Sequence, residues 1–268
     1  MNHTVKNLMA SRRLRHGAIA IALASLIALM TLLRPLDITF WAIQSKFPGP
    51  QASGEIVLVT DKSGKAASST VAANSLLVRA MENLGKAGAA RIVIDTPLRA
   101  SNDIVIDGRL ARAIHASRDK TLIAVPLNPD ARVYGERQPN SSMFADAAPI
   151  VSSDLNADFL DFVWNVEPRV HAQDATYTTL WTVLAGREDA RSPIHLDYRL
   201  GQSDLPTIAI TDLAAGQASA LDAVRGKQVV IANMGGDDRV LHAPDDSNSS
   251  LTSAHVSVIA AETAMAGR

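Results

Sequence analysis

Apolar positions recur along this chain with three spacings, and each spacing predicts a different element. From Gly17 to Leu33 the run GAIAIALASLIALMTLL is uncharged and apolar throughout. As a helix rising about 1.5 Å per residue it spans roughly 25 Å. A hydrocarbon layer is about 30 Å thick, and the shortfall is met by thinning and by Arg15 and Arg34 extending their head groups outward. The run therefore predicts a transmembrane helix, with Pro35 at the exit and Phe40 and Trp41 as interfacial anchors. Downstream, short continuous apolar runs predict strands buried on both faces: Ile56–Val59, Arg91–Asp95, Thr121–Val125 and Val229–Ile231. Between the first two, Leu76, Leu77, Ala80, Met81 and Leu84 recur at three and four residues, which predicts a helix closed by Gly85 and Gly88.

A strand, a helix and a strand in that order predict a β-α-β unit with a right-handed crossover. A second helix is expected over Gly108–Ala116, followed by a polar surface excursion from Leu127 to Ala148. Pro149–Ser152, Phe162–Val166 and Ile194–Tyr198 read as extended, Ala175–Leu184 as helical, and Ser253–Met265 as a final helix packed on the sheet or returning toward a membrane. The expected fold class is α/β: a single extracytoplasmic domain with a central, mostly parallel sheet flanked by helices, preceded by one N-terminal transmembrane helix. The segments are a basic cytoplasmic tail (1–16), an anchor and exit helix (17–45), a linker rich in turn formers (46–54) and the globular extracytoplasmic domain (55–268).

Charge sharpens this organisation. The first 34 residues hold Lys6, Arg12, Arg13, Arg15 and Arg34 and no acid, whereas the remainder carries 21 basic against 27 acidic residues. The positive-inside rule then keeps the tail in the cytoplasm and puts the domain outside, at an inner membrane entered through residues 17–33. A cleavable signal peptide is disfavoured because the small-x-small triplet Ala22-Leu23-Ala24 lies inside the apolar run. A buried core helix is disfavoured by the flanking charges. An acidic folded part argues against a nucleic-acid partner. With no cysteine, disulfides, thiolate metal sites and cysteine nucleophiles are all excluded.

Candidate chemistry is sparse. Asp61 and Asp95 follow buried strands, where parallel sheets place ligand groups. With Asp103 and Asp107 they form the candidate ligand-binding set, lining one acidic mouth; helix capping and Asx turns are the structural alternative for such aspartates. The seven histidines, His3, His16, His115, His171, His195, His242 and His255, show no metal-ligand spacing. There is no G-x-S-x-G elbow or phosphate-binding lysine loop, and Asn233–Asp238 reads as a tight turn. No catalytic residue, metal or cofactor is assigned.

The order of motifs from about residue 32 to the end resembles the type-two CHASE domain, an extracellular sensor module of bacterial cyclases, phosphodiesterases and kinases. The likeness is carried by Leu33-Arg34-Pro35-Leu36-Asp37, the strand Ile56–Thr60 with Asp61-Lys62-Ser63, then Leu84, Gly88-Ala89, Asp95, Asp103, Leu110 and Ala113. Further on come Asp197-Tyr198-Arg199, Leu205-Pro206, Asp212-Leu213, Gly216 and Arg225-Gly226-Lys227-Gln228-Val229-Val230-Ile231. The family's central Asp-x-Asp-Gly turn is represented only by Asp158 and Asp161, with Phe162 in place of glycine. Its closing Pro-Gly-Val-x-Ile-His is replaced by Thr252–Ser257. The resemblance implies a membrane-anchored receptor that binds a small-molecule or envelope ligand, is not itself an enzyme and is compatible with a homodimer. It also implies a cytoplasmic output module beyond this chain, so that the sequence is either part of a receptor or a minimal anchored relative. A membrane-anchored metal-dependent hydrolase and an envelope scaffold are the competing readings.

Overall fold

The computed structural model describes residues 16–25, 43, 47, 49–61, 69–127, 142–144, 146–157, 162–172, 174–200, 205–232, 241–242 and 250–267. The chain divides into two units, one comprising Met1–Phe47 and Pro244–Asp246, the other Pro48–Ala243 and Ser247–Arg268. In the first, residues 16–25 are helical and every one of them is exposed, Ile19, Ile21 and Leu23 included. No helix among the described residues is long and apolar enough to cross a membrane. The remainder of the Gly17–Leu33 run, with Pro35, Phe40 and Trp41, lies outside the described residues.

The second unit is α/β. Six strands, β1 (Ile56–Thr60), β2 (Arg91–Asp95), β3 (Thr121–Val125), β4 (Ile150–Ser152), β9 (Thr207–Ala209) and β10 (Gln228–Ala232), form one sheet in the order β4-β3-β2-β10-β1-β9. All five pairings are parallel. The sheet is thus wholly parallel, where the sequence predicted a mostly parallel one. Strands buried on both faces need an apolar side chain at every position, which explains the unbroken Ile-Val-Leu-Val of β1 and Val-Val-Ile of β10.

Alternate residues serve two separate cores. Val57, Val59, Ile92, Ile94, Val229 and Ile231 face helices α1 (Thr70–Ala87), α2 (Ile104–Ala116), α4 (Ile210–Ala214) and α5 (Ala218–Val224). Ile56, Leu58, Val93, Val230 and Ala232 face α3 (Leu180–Leu184) and α6 (Ser253–Met265). Short antiparallel pairs complete the unit: β5 (Asn165–Val166) with β8 (Ile194–His195), β6 (Arg169–Ala172) with β7 (Ala175–Thr178), and β11 (Leu241–His242) with β12 (Ser250–Leu251).

Several expectations change. Helix α1 runs through Gly85 and ends at Gly88, whose φ of 77° is the left-handed cap that glycine accepts without strain. Helix α2 begins a turn earlier than expected because Asp103 caps it. Ala175–Leu184 is not one helix: its first half pairs with β6 as a hairpin strand, and only Leu180–Leu184 is helical. The excursion from Leu127 returns to the core before its end, since Phe144, Ala147 and Ala148 are buried. The turn expected at Asn233–Asp238 lies outside the described residues.

Helix α6 is buried on all sides, from Ser253 to Ala264. Its direction follows from its C-terminal end. There the Glu262 carboxylate accepts the N–H (2.7 Å) and hydroxyl (2.9 Å) of Ser53, three residues before β1 begins. Helix α3 ends at the same side, where Val183 O accepts from Arg91 and Leu184 O from Gln228 (2.7 Å), the first residues of β2 and β10. Both helices therefore run against the strands, with their N-termini toward the strands' C-terminal ends.

Candidate ligand-binding edge of the sheet

The pairing register sets the geometry of the C-terminal edge. Thr60 is level with Ala232, and Ala232 with Asp95. Asp61, one residue beyond β1, and Asp95, the last residue of β2, thus lie at the same edge. They are not on neighbouring strands, because β10 is inserted between them. Two strand spacings of about 4.8 Å put the two backbones roughly 10 Å apart. A small ligand can bridge that gap, whereas a shared proton cannot. The two residues share one edge of the sheet but do not belong to hydrogen-bonded neighbouring strands.

Side-chain alternation gives the edge a direction. Val93, Val230 and Leu58 face α6, so Asp95, Ala232 and Thr60, two residues further on, share that face. Asp95 is fully buried and Thr60 is 7 % exposed. Asp95 is level with Ala124 on β3 as well as with Ala232. The carboxylate is thus flanked by two alanines on the same face, which leaves the surface next to it low. The helices that follow β1 and β2 in the chain pack on one face of the sheet, and α6, which follows β10, on the other. In open parallel sheets a divergence of this kind is where ligand sites form outside the strand ends.

Asp103 and Asp107 sit in a separate arrangement. Asp103 caps α2, its Oδ1 accepting from Val105 N (3.0 Å) and Ile106 N (3.2 Å). Asp107 is 1 % exposed. Its Oδ1 accepts from Asn74 Nδ2 (2.7 Å) and Ser101 Oγ (2.8 Å), and its Oδ2 from Ser101 N (2.7 Å). Asn74 also donates to Arg99 O (3.0 Å). These bonds fasten the loop after β2 to α1 and α2. The two carboxylates brace the rim, while Asp61 and Asp95 occupy the sheet edge itself.

Other groups at this edge escaped the sequence reading. Asp154 Oδ2 accepts from Leu127 N (3.0 Å) and Ser152 Oγ (2.7 Å), tying together the segments that leave β3 and β4. Ser153 N donates to Val125 O, so Ser153 still extends the ladder; its buried Oγ has no hydrogen-bond partner among the described residues. At the start of α6, Thr252 Oγ1 accepts from His255 N and lies 2.8 Å from His255 Nδ1. The next hydroxyl, Ser253 Oγ, is buried and likewise without a partner among the described residues. The Thr-Ser pair before an apolar run was a legible helix start. Nothing in the sequence marked one of its hydroxyls as unsatisfied.

Among the described residues, no group of three or more His, Asp or Glu side chains is arranged to hold a metal ion. His195 on β8 lies away from the edge; partial burial lowers its pKa, against the opposing pull of Asp197. No family model, curated protein or solved structure matches this chain. What the fold defines is a class: an α/β unit built on a six-stranded, wholly parallel sheet.

Proposed function

We propose that this chain is the membrane-anchored, extracytoplasmic sensing part of a bacterial signalling receptor, of the type-two CHASE kind. It binds a small ligand at the C-terminal edge of the sheet and relays occupancy toward a cytoplasmic output module beyond these 268 residues. The observation that carries this reading is the register row Thr60–Ala232–Asp95, which puts Asp61, one residue further on, and Asp95 at one edge of the sheet, on either side of an inserted strand. An edge of that form binds ligands in open parallel sheets. The exposed helix over residues 16–25, with Ile19, Ile21 and Leu23 uncovered, supports the anchor, since a large apolar surface left bare on a helix suits contact with lipid. Transmission works by differential affinity: a ligand that prefers one of two arrangements of the domain shifts their populations by that preference and no more.

A reporter active only outside the cytoplasm, fused after residue 268, tests the topology. Activity is the expected result; a reporter active only inside the cell overturns the reading. The hydrolase alternative predicts turnover of a substrate panel that is lost when Asp61 or Asp95 is replaced by Asn.

A further inference from the structure

The N-terminal edge of the sheet, opposite Asp61 and Asp95, gathers the ends of three helices. Helices α1, α2 and α5 each stop a few residues short of the strand they feed. Those strands, β2, β3 and β10, are neighbours in the sheet, with Arg91 level with Gln228 and Ile92 with Thr121. The connecting loops are bonded to one another. Gly226 N donates to Gly88 O (3.1 Å), Ala90 N to Lys227 O (2.8 Å) and Ile92 N to Lys120 O (2.8 Å). They form one continuous surface. It is basic: residues 86–91, 117–120 and 222–227 carry Lys86, Arg91, Arg118, Lys120, Arg225 and Lys227 against Asp119 and Asp222. The chain beyond residue 34 as a whole is acidic.

Cations collect at helix C-termini because unbonded carbonyls and the negative end of the helix dipole attract them. Lys120 serves that purpose, its Nζ donating to Ala89 O (3.3 Å). Arg225 pairs with Asp222 (2.9 Å), and Arg91 donates to Val183 O and lies 3.9 Å from Glu188. Lys86, Arg118 and Lys227 are not spent in this way: their side chains make no hydrogen bond or ion pair among the described residues. Like charges gathered on one surface repel, and an anionic partner outside the domain offsets that cost. The course of the chain favours one partner. It enters the domain at this edge, where Glu262 holds Ser53 and Glu55 O accepts from Gln228 N (2.9 Å), next to Lys227. The apolar run of residues 17–33 is therefore joined through residues 34–52 to the basic edge, and not to the aspartate edge.

We infer that the N-terminal edge of the sheet docks on the phosphates of anionic lipids at a bilayer surface. The inference rests on the membrane-anchored reading for its partner, but its test needs neither signalling nor a known orientation. The chain has no cysteine, so Ala90→Cys and Asn102→Cys each give one labelling site, the first exposed on the basic edge, the second exposed in the loop beyond β2. The labelled full chain is titrated with vesicles of phosphatidylcholine, alone or with added phosphatidylglycerol, both carrying a quencher on the lipid headgroup. The Ala90→Cys label is expected to be quenched more strongly with phosphatidylglycerol, and the Asn102→Cys label equally in both. The difference should vanish near 1 M salt, where charges are screened within about 3 Å. Lys86→Gln, Arg118→Gln and Lys227→Gln together should raise the lipid concentration for half-quenching about a hundredfold, at about fivefold per residue. Their side chains bond to nothing in the domain, so the denaturant midpoint should hold. Basic residues that serve only the helix ends would lower that midpoint and leave quenching unchanged. The basic tail before residue 17 also attracts anionic lipid, but it acts on both labels alike. Quenching of the Ala90→Cys label that ignores phosphatidylglycerol, or that survives the three substitutions, overturns the inference. So does soluble poly-glutamate that binds this edge more tightly than the vesicles, which would assign it to an acidic protein. A topology reporter active only inside the cell, with the lipid response intact, would sink the extracytoplasmic sensor and leave this surface standing.

Discussion

Glu262, near the end of α6, holds both the backbone N–H and the hydroxyl of Ser53, at 2.7 and 2.9 Å. The last helix thereby grips the segment that enters the first strand. Gly49 lies against Arg199 so closely that a Cβ there would come within 2.5 Å of the arginine Cβ, and Arg199 is itself held in a fork on Asp197. Two residues of the expected linker, Gly49 and Ser53, are thus fitted to the domain. Replacing Glu262 by Ala should destabilise the domain by about 2 kcal/mol, because two hydrogen bonds to a charged acceptor are lost together. Ser53→Ala should cost less, since its backbone N–H still reaches the carboxylate. A double-mutant cycle on denaturant midpoints should show the two effects to be non-additive.

The Asp107 network makes a second expectation. Its carboxylate satisfies Asn74, the Ser101 hydroxyl and the Ser101 N–H from a position only 1 % exposed. Asp107→Ala strands those donors and should cost about 3 kcal/mol, with Asp107→Asn intermediate because one amide oxygen still accepts. If Asp107 instead belonged to the ligand set, its loss would weaken binding with little change in unfolding.

His195 gives a pH dependence with a definite sign. Partial burial lowers its pKa below the ordinary histidine value, so in the window between the folded and unfolded values the unfolded chain binds more protons. Stability from this group is therefore undiminished above about pH 7 and falls as the pH drops through the ordinary histidine range. The ring is exposed enough for solvent to reduce the effect, and the neighbouring Asp197 opposes it. His195→Gln should flatten the dependence of the unfolding midpoint between about pH 5 and 7 and leave it unchanged near pH 8. An unaltered slope would show that other groups set the acid response.

The central strands were legible in the sequence because burial on both faces writes itself as unbroken apolar runs, and α1 because one of its faces alone is buried. Other elements resisted for physical reasons. Ile104 and Val105 are 75 % and 65 % exposed in the first turn of α2, so apolar spacing gave no hint that the helix starts there. Ala-Thr-Tyr-Thr at 175–178 is a strand because β6 lies opposite it, a long-range partner that overrides local preference. Helix α6 reads as a helix, but with every face apolar its pattern cannot say which side meets the sheet. At the edge, the positions of Asp61 and Asp95 followed from the strand pattern. The strand between them, and the idle hydroxyl of Ser253, are properties of the assembled fold.

The insertion of β10 also governs how the protein must be made. Ribosomes deliver the chain from its N-terminus, so β1 and β2 are synthesised long before the strand that joins them. Until Gln228–Ala232 emerges, each offers a bare flank of amide groups and apolar side chains, the surface that nascent chains use to aggregate. Any version cut short before residue 228 should fail to fold.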